Sequence, residues 1–253
     1  MIRKPAVAGS FYPASKEELN EMLDDLFKRA EAKEVSNGII VPHAGYVYSG
    51  KTAAFGFKSM MEFLKKNRDV KNIVILGPSH RVYFEGMLGD ENNEWETPLG
   101  KIKIRRINEI KDDKIAHSKE HSLEVQVPFV QYISEKLGRE LAITPFIVGG
   151  LTSFEAKMYA DILLKQRNCF FVVSSDLSHY LNLAYAKKTD EQTIKSILSL
   201  KYETLDACGK FPIMIAIEMA KAKGWKLKLL DYSTSADASG DKNAVVGYVA
   251  IGF

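Results

Sequence analysis

The sequence predicts an α/β protein, a single domain over residues 1–253 with a central, mostly parallel or mixed sheet flanked by helices. Three observations predict it. Short apolar runs of strand length, such as GIIV at 38–41, NIVIL at 72–76 and FFVVS at 170–174, alternate with longer segments of helical periodicity. The chain has 253 residues and is 46% hydrophobic, enough to bury one large core. No Pro/Gly/Ser linker, repeat or low-complexity tract divides it.

In chain order, Ser15 and Glu18 have capping-box spacing. Leu19, Met22, Leu23, Leu26 and Phe27 then recur as one apolar stripe, so a helix follows Ser15. Residues 38–41 read as a strand, 51–65 as a helix and 72–76 as a buried strand. Residues 85–89 and 101–104 read as paired strands carrying the polar flap DENNEWETPLG, with Lys101, Lys103, Arg105 and Arg106 on a solvated face. Leu123, Val127, Val130 and Leu137 mark a helix with Pro128 inside it. Strands at 141–148 and 170–174 bracket a helix at 154–166. Helices near 184–199 and 211–223 lead to strands at 227–232 and 244–251.

The 35 Lys+Arg and 32 Asp+Glu are interspersed, leaving +3, and no long basic block indicates a nucleic-acid surface. No apolar stretch reaches the roughly 20 residues of a membrane span. The N-terminal MIRKPAVAGSFYP lacks the apolar core of a signal peptide. Cys169, beside the apolar run FFVV, is expected to be a buried free thiol rather than half of a bridge with Cys208. Together these point to a cytoplasmic protein without a membrane segment.

Three of the five histidines follow strand-like runs: His43 in VPHAGYVYSG, His80 in NIVILGPSH and His179 in FFVVSSDLSH. In open α/β sheets ligands bind beyond the carboxyl ends of strands, so parallel neighbouring strands would turn these imidazoles into one crevice. Two neutral imidazoles can ligate a divalent metal, and a carboxylate would complete a facial triad. His179 would then serve as acid, base or oxyanion donor, with Asp176 fixing its tautomer. His121 and Glu124 form a second pair, one helical turn apart. His117, in the polar run KDDKIAHSKE, is expected to be solvated and without a role.

The Walker spacing, G-x-G-x-x-G and G-x-S-x-G are absent, so neither a nucleotide nor a serine nucleophile is indicated. Ser174 and Ser175 are expected to turn the chain. Cys208, in DACGKFPI, precedes a helix and is either a thiolate favoured by the helix dipole or a small residue filling a turn. Tyr46 and Tyr48 are placed to line a pocket or to pack.

The ordered motifs PAVAGSFYP (5–13), VPHAGYVYSG (41–50), GPSH (77–80), EHSLEVQVPF (120–129), SSDLSH (174–179), CGKFPI (208–213) and VVGYVA (245–250) resemble the Memo family over nearly the whole chain. The resemblance implies a fold similar to class III extradiol dioxygenases, non-haem iron enzymes using two histidines and a glutamate. For eukaryotic members it implies phosphotyrosine-peptide binding, redox activity and iron or copper binding in one pocket. For prokaryotic members, often called AmmeMemoRadiSam system protein B, it implies radical-SAM and Ammecr-type partner proteins. Carried over by motif, His43 and His80 match the metal-binding histidines, and Asp176 and His179 match neighbouring pocket residues. The third eukaryotic ligand is a cysteine near the C-terminus, where ungapped alignment places Ala238, with Asp237 or Asp241 as substitutes. Two readings follow: an Fe(II)-dependent oxidoreductase (copper as the alternative metal) of unknown small-molecule substrate, with His179, Asp176 and His121 catalytic, or a non-enzymatic module binding an anionic peptide or a radical-SAM-system partner.

Overall fold

A computed structural model describes residues 1–35 and 37–253. β1 (Ile2–Arg3) precedes α1 (Lys16–Arg29), which begins where predicted because Ser15 Oγ accepts from the Glu18 amide at 3.2 Å. β2 (Gly38–Val41) leads into α2 (Tyr46–Lys66), then β3 (Asn72–Pro78). α2 starts a turn earlier than expected, since Gly45 caps it and Tyr46, Gly50 and Ala54 continue its buried face. β4 (Met87–Leu88), β5 (Glu94–Thr97), β6 (Gly100–Lys103) and α3 (Lys114–Ser118) follow. A 3₁₀ turn (Glu124–Gln126) opens α4 (Val127–Lys136), with Pro128 in the first turn, where its missing N–H costs nothing. Next come β7 (Ala142–Val148), α5 (Ser153–Leu163), β8 (Cys169–Ser174), β9 (His179–Leu181) and α6 (Leu183–Leu198). α7 (Lys210–Lys223), β10 (Lys228–Thr234), α8 (Ala236–Ser239) and β11 (Val245–Gly252) complete the chain.

The main sheet is mixed, ordered β10-β11-β2-β8-β3-β7-β4, with β9 also pairing β11. β2, β8, β3 and β7 run parallel, β11 runs antiparallel between β2 and β10, and β4 is antiparallel to β7. Alternate side chains explain why the central strands read as unbroken apolar runs: Ile39 and Val41 join the core under α1, α2 and α4, while Ile40 joins the core under α5, α6 and α7. The expected pairing of 85–89 with 101–104 does not occur. β4 instead pairs β7, and β5 pairs β6 as a hairpin that with β1 makes a separate three-stranded sheet. Among the described residues, no helix is long and apolar enough to cross a membrane.

His117 corrects a second expectation. It is fully buried (0% exposed), because α3 turns Ala116 and His117 inward and leaves Ile115 at 69% exposure. Its Nε2 donates to the Leu88 carbonyl at 3.2 Å, and its ring meets Trp95 edge-on with centroids 6.0 Å apart. Burial lowers its pKa. Unfolded histidine gains a proton below about pH 6.5 while the buried ring resists it, so stability is lost as pH falls through that range. His117→Gln, which can still reach Leu88, should therefore cost less stability below about pH 6 than above pH 7. Urea midpoints at both pH values check this, and a penalty that does not change with pH would remove His117 as the cause.

Candidate metal centre

β2, β8 and β3 lie side by side in that order, with Val41 opposite Ser174 and Leu76 opposite Val173. His43, Asp176 and His80 each follow their strand's last residue by two positions, so they leave the same edge of the sheet together. This is where the sequence reading placed the site. The segment after β8 is then fixed to the others: Asp176 Oδ1 accepts from the His43 amide at 2.8 Å.

Hydrogen bonding sets the tautomer of both strand-end histidines. The single proton of Ser174 Oγ goes to the Ser122 carbonyl at 2.6 Å. Gln126 Nε2, held by the Pro42 carbonyl at 3.0 Å, donates to the same oxygen at 2.7 Å. Toward His43 Nδ1, 2.9 Å away, Ser174 can only accept. His43 therefore carries its proton on Nδ1 and presents an Nε2 lone pair. His80 Nδ1 lies 3.0 Å from Glu120 Oε1. Burial alone would raise the Glu120 carboxyl, but His80 and the backbone amides outweigh it and hold the pKa down to about 2. An ionised carboxylate only accepts, so His80 too offers its Nε2 lone pair.

Cys208 is the third candidate donor. Its Sγ lies 3.2 Å from His43 Nε2 and accepts from the Asp176 amide at 3.2 Å. α7 can deliver it there because Gly209 has no side chain: a Cβ would meet Ser175 Cβ at 2.4 Å and the Ser174 carbonyl at 2.6 Å. The ligand atoms of His43, His80 and Cys208 all lie within 4.8 Å of one another. His80, Glu120 and His121 meet the same criterion. Glu120, however, already accepts from the amides of His80, His121 and Ser122 as well as from His80 Nδ1. The first group is a donor set and the second is its brace. Two imidazoles and a thiol fit a first-row metal such as iron, copper or zinc. His43 Nε2, His80 Nε2 and Cys208 Sγ would hold it, with access through the His80 side chain, 29% exposed.

The surroundings keep the imidazoles neutral. Burial, aided by the neighbouring His80 and His121, holds His43 well below its ordinary pKa, and burial takes His121 down to about 4. Burial lowers His179 as well and pushes the Cys208 thiol up. It raises the Asp176 carboxyl to about 7 against the opposing amides of His43 and Ala44.

The third imidazole packed against His43 and His80 is that of His121. It stacks on His80 with centroids 4.7 Å apart and meets His43 edge-on at 5.5 Å. His179 starts β9, half-buried, with its ring centroid 5.8 Å from that of Tyr180. Glu124 is not the partner of His121. It turns to Arg3, 2.7 Å away, and to the Ala6 and Val7 amides and the Tyr12 hydroxyl. His121 instead has Glu120 Oε1 at 3.3 Å from its Nδ1, outside hydrogen-bonding geometry. Among the described residues, neither Asp237 nor Asp241 belongs to a cluster that could hold a metal. Ala238 is exposed, Asp237 accepts from the Thr234 amide at 2.7 Å, and Asp241 caps the Asn243 amide at 2.9 Å. Tyr46 packs, donating to the Val125 carbonyl, while Tyr48 is 46% exposed. Sequence reasoning missed Glu120, although an acid directly before His121 was the available signal.

Glu120→Gln is expected to weaken metal binding about 10–100-fold, because the amide replaces one acceptor among four converging N–H groups with a donor and frees the His80 tautomer. Cobalt(II) titration followed by visible absorption measures it. Unchanged affinity in a folded variant would remove the bracing role.

Fold and cluster together define an α/β protein with a His–His–Cys centre at the carboxyl edge of a mixed sheet. The sequence pattern of the Memo-like protein family matches residues 3–252. A MEMO1 family protein of Aquifex aeolicus is 37% identical, the match covering 100% of this chain and 99% of that protein. One from Nitrosopumilus maritimus is 37% identical with 100% of both chains covered, and one from Thermoplasma volcanium 34% identical, covering 99% of this chain and 98% of that one. The chain belongs to the Memo family.

Proposed function

We propose that the protein is a metal-dependent oxidoreductase acting on a small molecule, with non-haem iron, or copper, held by His43, His80 and Cys208. The observation that carries the reading is the convergence of these donors within 4.8 Å, with both imidazoles locked in the metal-binding tautomer. Iron held in this way supplies redox chemistry and open coordination positions. The chain's residues do the rest. His121, neutral beside both ligands, accepts or returns a proton at its ring. Asp176 fixes the His43 and Cys208 backbones, and His179 offers a second imidazole at the rim.

The test is anoxic titration with Fe(II) by calorimetry. Binding should displace the Cys208 proton and so weaken as pH falls. Cys208→Ser should weaken it strongly, whereas Ala238→Cys and Asp237→Asn should leave it unchanged. Binding that survives Cys208→Ser and tightens in Ala238→Cys would move the third donor to α8. If the wild-type protein takes up neither iron nor copper, the oxidoreductase reading fails and the histidines serve non-catalytic binding.

A further inference from the structure

A cleft of about 720 Å³ opens beside the metal centre, lined by the N-terminal segment 2–7, Arg81, Asn92 and the α3 region. Its exposed walls carry Lys4, Arg81, Lys114 and Lys119, and no carboxylate lines it. Lys4 is paired with Glu96 at 2.7 Å. Arg81, Lys114 and Lys119 have no ion-pair partner among the described residues. The acids next to them in sequence are engaged elsewhere: Asp113 caps α3 through the Ile115 and Ala116 amides, and the buried Glu120 carboxylate accepts from His80. In a chain whose charges nearly balance overall, three unpaired cations around one concavity amount to a local field that concentrates anions.

The cleft is joined to the metal centre in two ways. Arg81 directly follows the ligand His80, about 3.8 Å away between Cα atoms, and its charge is felt at His121. At the cleft floor, Arg3 donates to the Glu120 carbonyl at 2.8 Å, and the side chain of that same Glu120 braces His80. Ile2 and Ile115, 37% and 69% exposed, add apolar surface between the cations. A volume of this size suits a small ligand rather than a bare ion.

We infer that this cleft is an anion-binding subsite, and that the substrate of the metal centre is a small molecule with at least two phosphate or carboxylate groups, held by Arg81, Lys114 and Lys119. The substrate assignment rests on the oxidoreductase reading; the anion site does not.

The experiment titrates metal-free protein with inorganic tripolyphosphate and, separately, with citrate, at low and high salt. At least one should bind, more weakly as salt rises. Tripolyphosphate alone identifies phosphate chemistry, and citrate binding extends the site to carboxylates. Arg81→Gln and Lys119→Gln should each weaken binding about fivefold, and the double variant more, whereas Lys157→Gln on α5 should have no effect. Cobalt(II) binding by the wild-type protein and the same variants separates the two readings: anion binding lost with cobalt binding kept reports on the cleft alone, and a wild-type protein that binds the anion but takes up no cobalt(II) overturns only the metal reading. The inference is overturned if neither anion binds, if Lys157→Gln weakens binding as much, or if the folded double variant keeps wild-type affinity. It is also overturned if a single-stranded oligonucleotide displaces tripolyphosphate at lower concentration, which would make the surface one for nucleic acid.

Discussion

His80→Ala and His43→Ala should each weaken Fe(II) or cobalt(II) binding by more than about 100-fold, beyond the loss expected from disturbing a supporting residue. Each removes one of three donors and leaves a site with two. The variants differ in their side effects. His80 is partly exposed, so its loss should leave the fold intact. His43 is 2% exposed, so its truncation leaves a buried cavity and should cost about 2–4 kcal/mol as well. His117→Ala, which touches neither donor, is the control for general destabilisation. Equal metal affinity in wild type and His80→Ala would end the metal reading.

Glu124→Ala should lower stability by about 3–5 kcal/mol, lowering the melting temperature by about 10 °C for a chain of this size. The Arg3–Glu124 pair is almost fully buried, at 3% and 1% side-chain exposure. The same carboxylate also receives the Ala6 and Val7 amides and the Tyr12 hydroxyl. Truncation leaves a buried guanidinium and three further donors without their acceptor. Glu124→Gln, which keeps acceptor capacity on one atom, should lose less. Urea unfolding of the three proteins measures the series, and a loss below about 1 kcal/mol in Glu124→Ala would mean that the N-terminal segment is held by its apolar contacts instead.

Most of the fold was legible because the central strands are buried on both faces, so Ile39 to Val41 and Ile73 to Leu76 stand out as unbroken apolar runs. The chain positions of His43, His80 and Asp176 followed from the same pattern. The flap strands were mispaired because β4 has only two residues, too few for any periodicity, and its partner lies about sixty residues on. Ungapped alignment points to Ala238 because it follows the chain in line and cannot register a candidate donor from another element. The position of Cys208 depends on Gly209 letting α7 approach β8, a contact that no local pattern encodes. CGK before a helix was nevertheless a usable sign, since a cysteine at that place can carry a thiolate. His117 was misread because a five-residue helix is too short to show which face is apolar.

The strand that carries His43 has β8 on one side and β11 on the other, with Ile251 opposite Ile40 and the Asn37 and Gly38 amides bonded to the carbonyl of the last residue, Phe253. During synthesis His43 leaves the ribosome long before its neighbouring strand β11 (Val245–Gly252). At ordinary elongation speeds that interval is roughly ten to forty seconds. His43 and Cys208 stand 165 residues apart in the chain, so the two cannot meet until most of that interval has passed. Assembly of the candidate donor set is therefore a late step, made by tertiary folding and by no local segment of the chain.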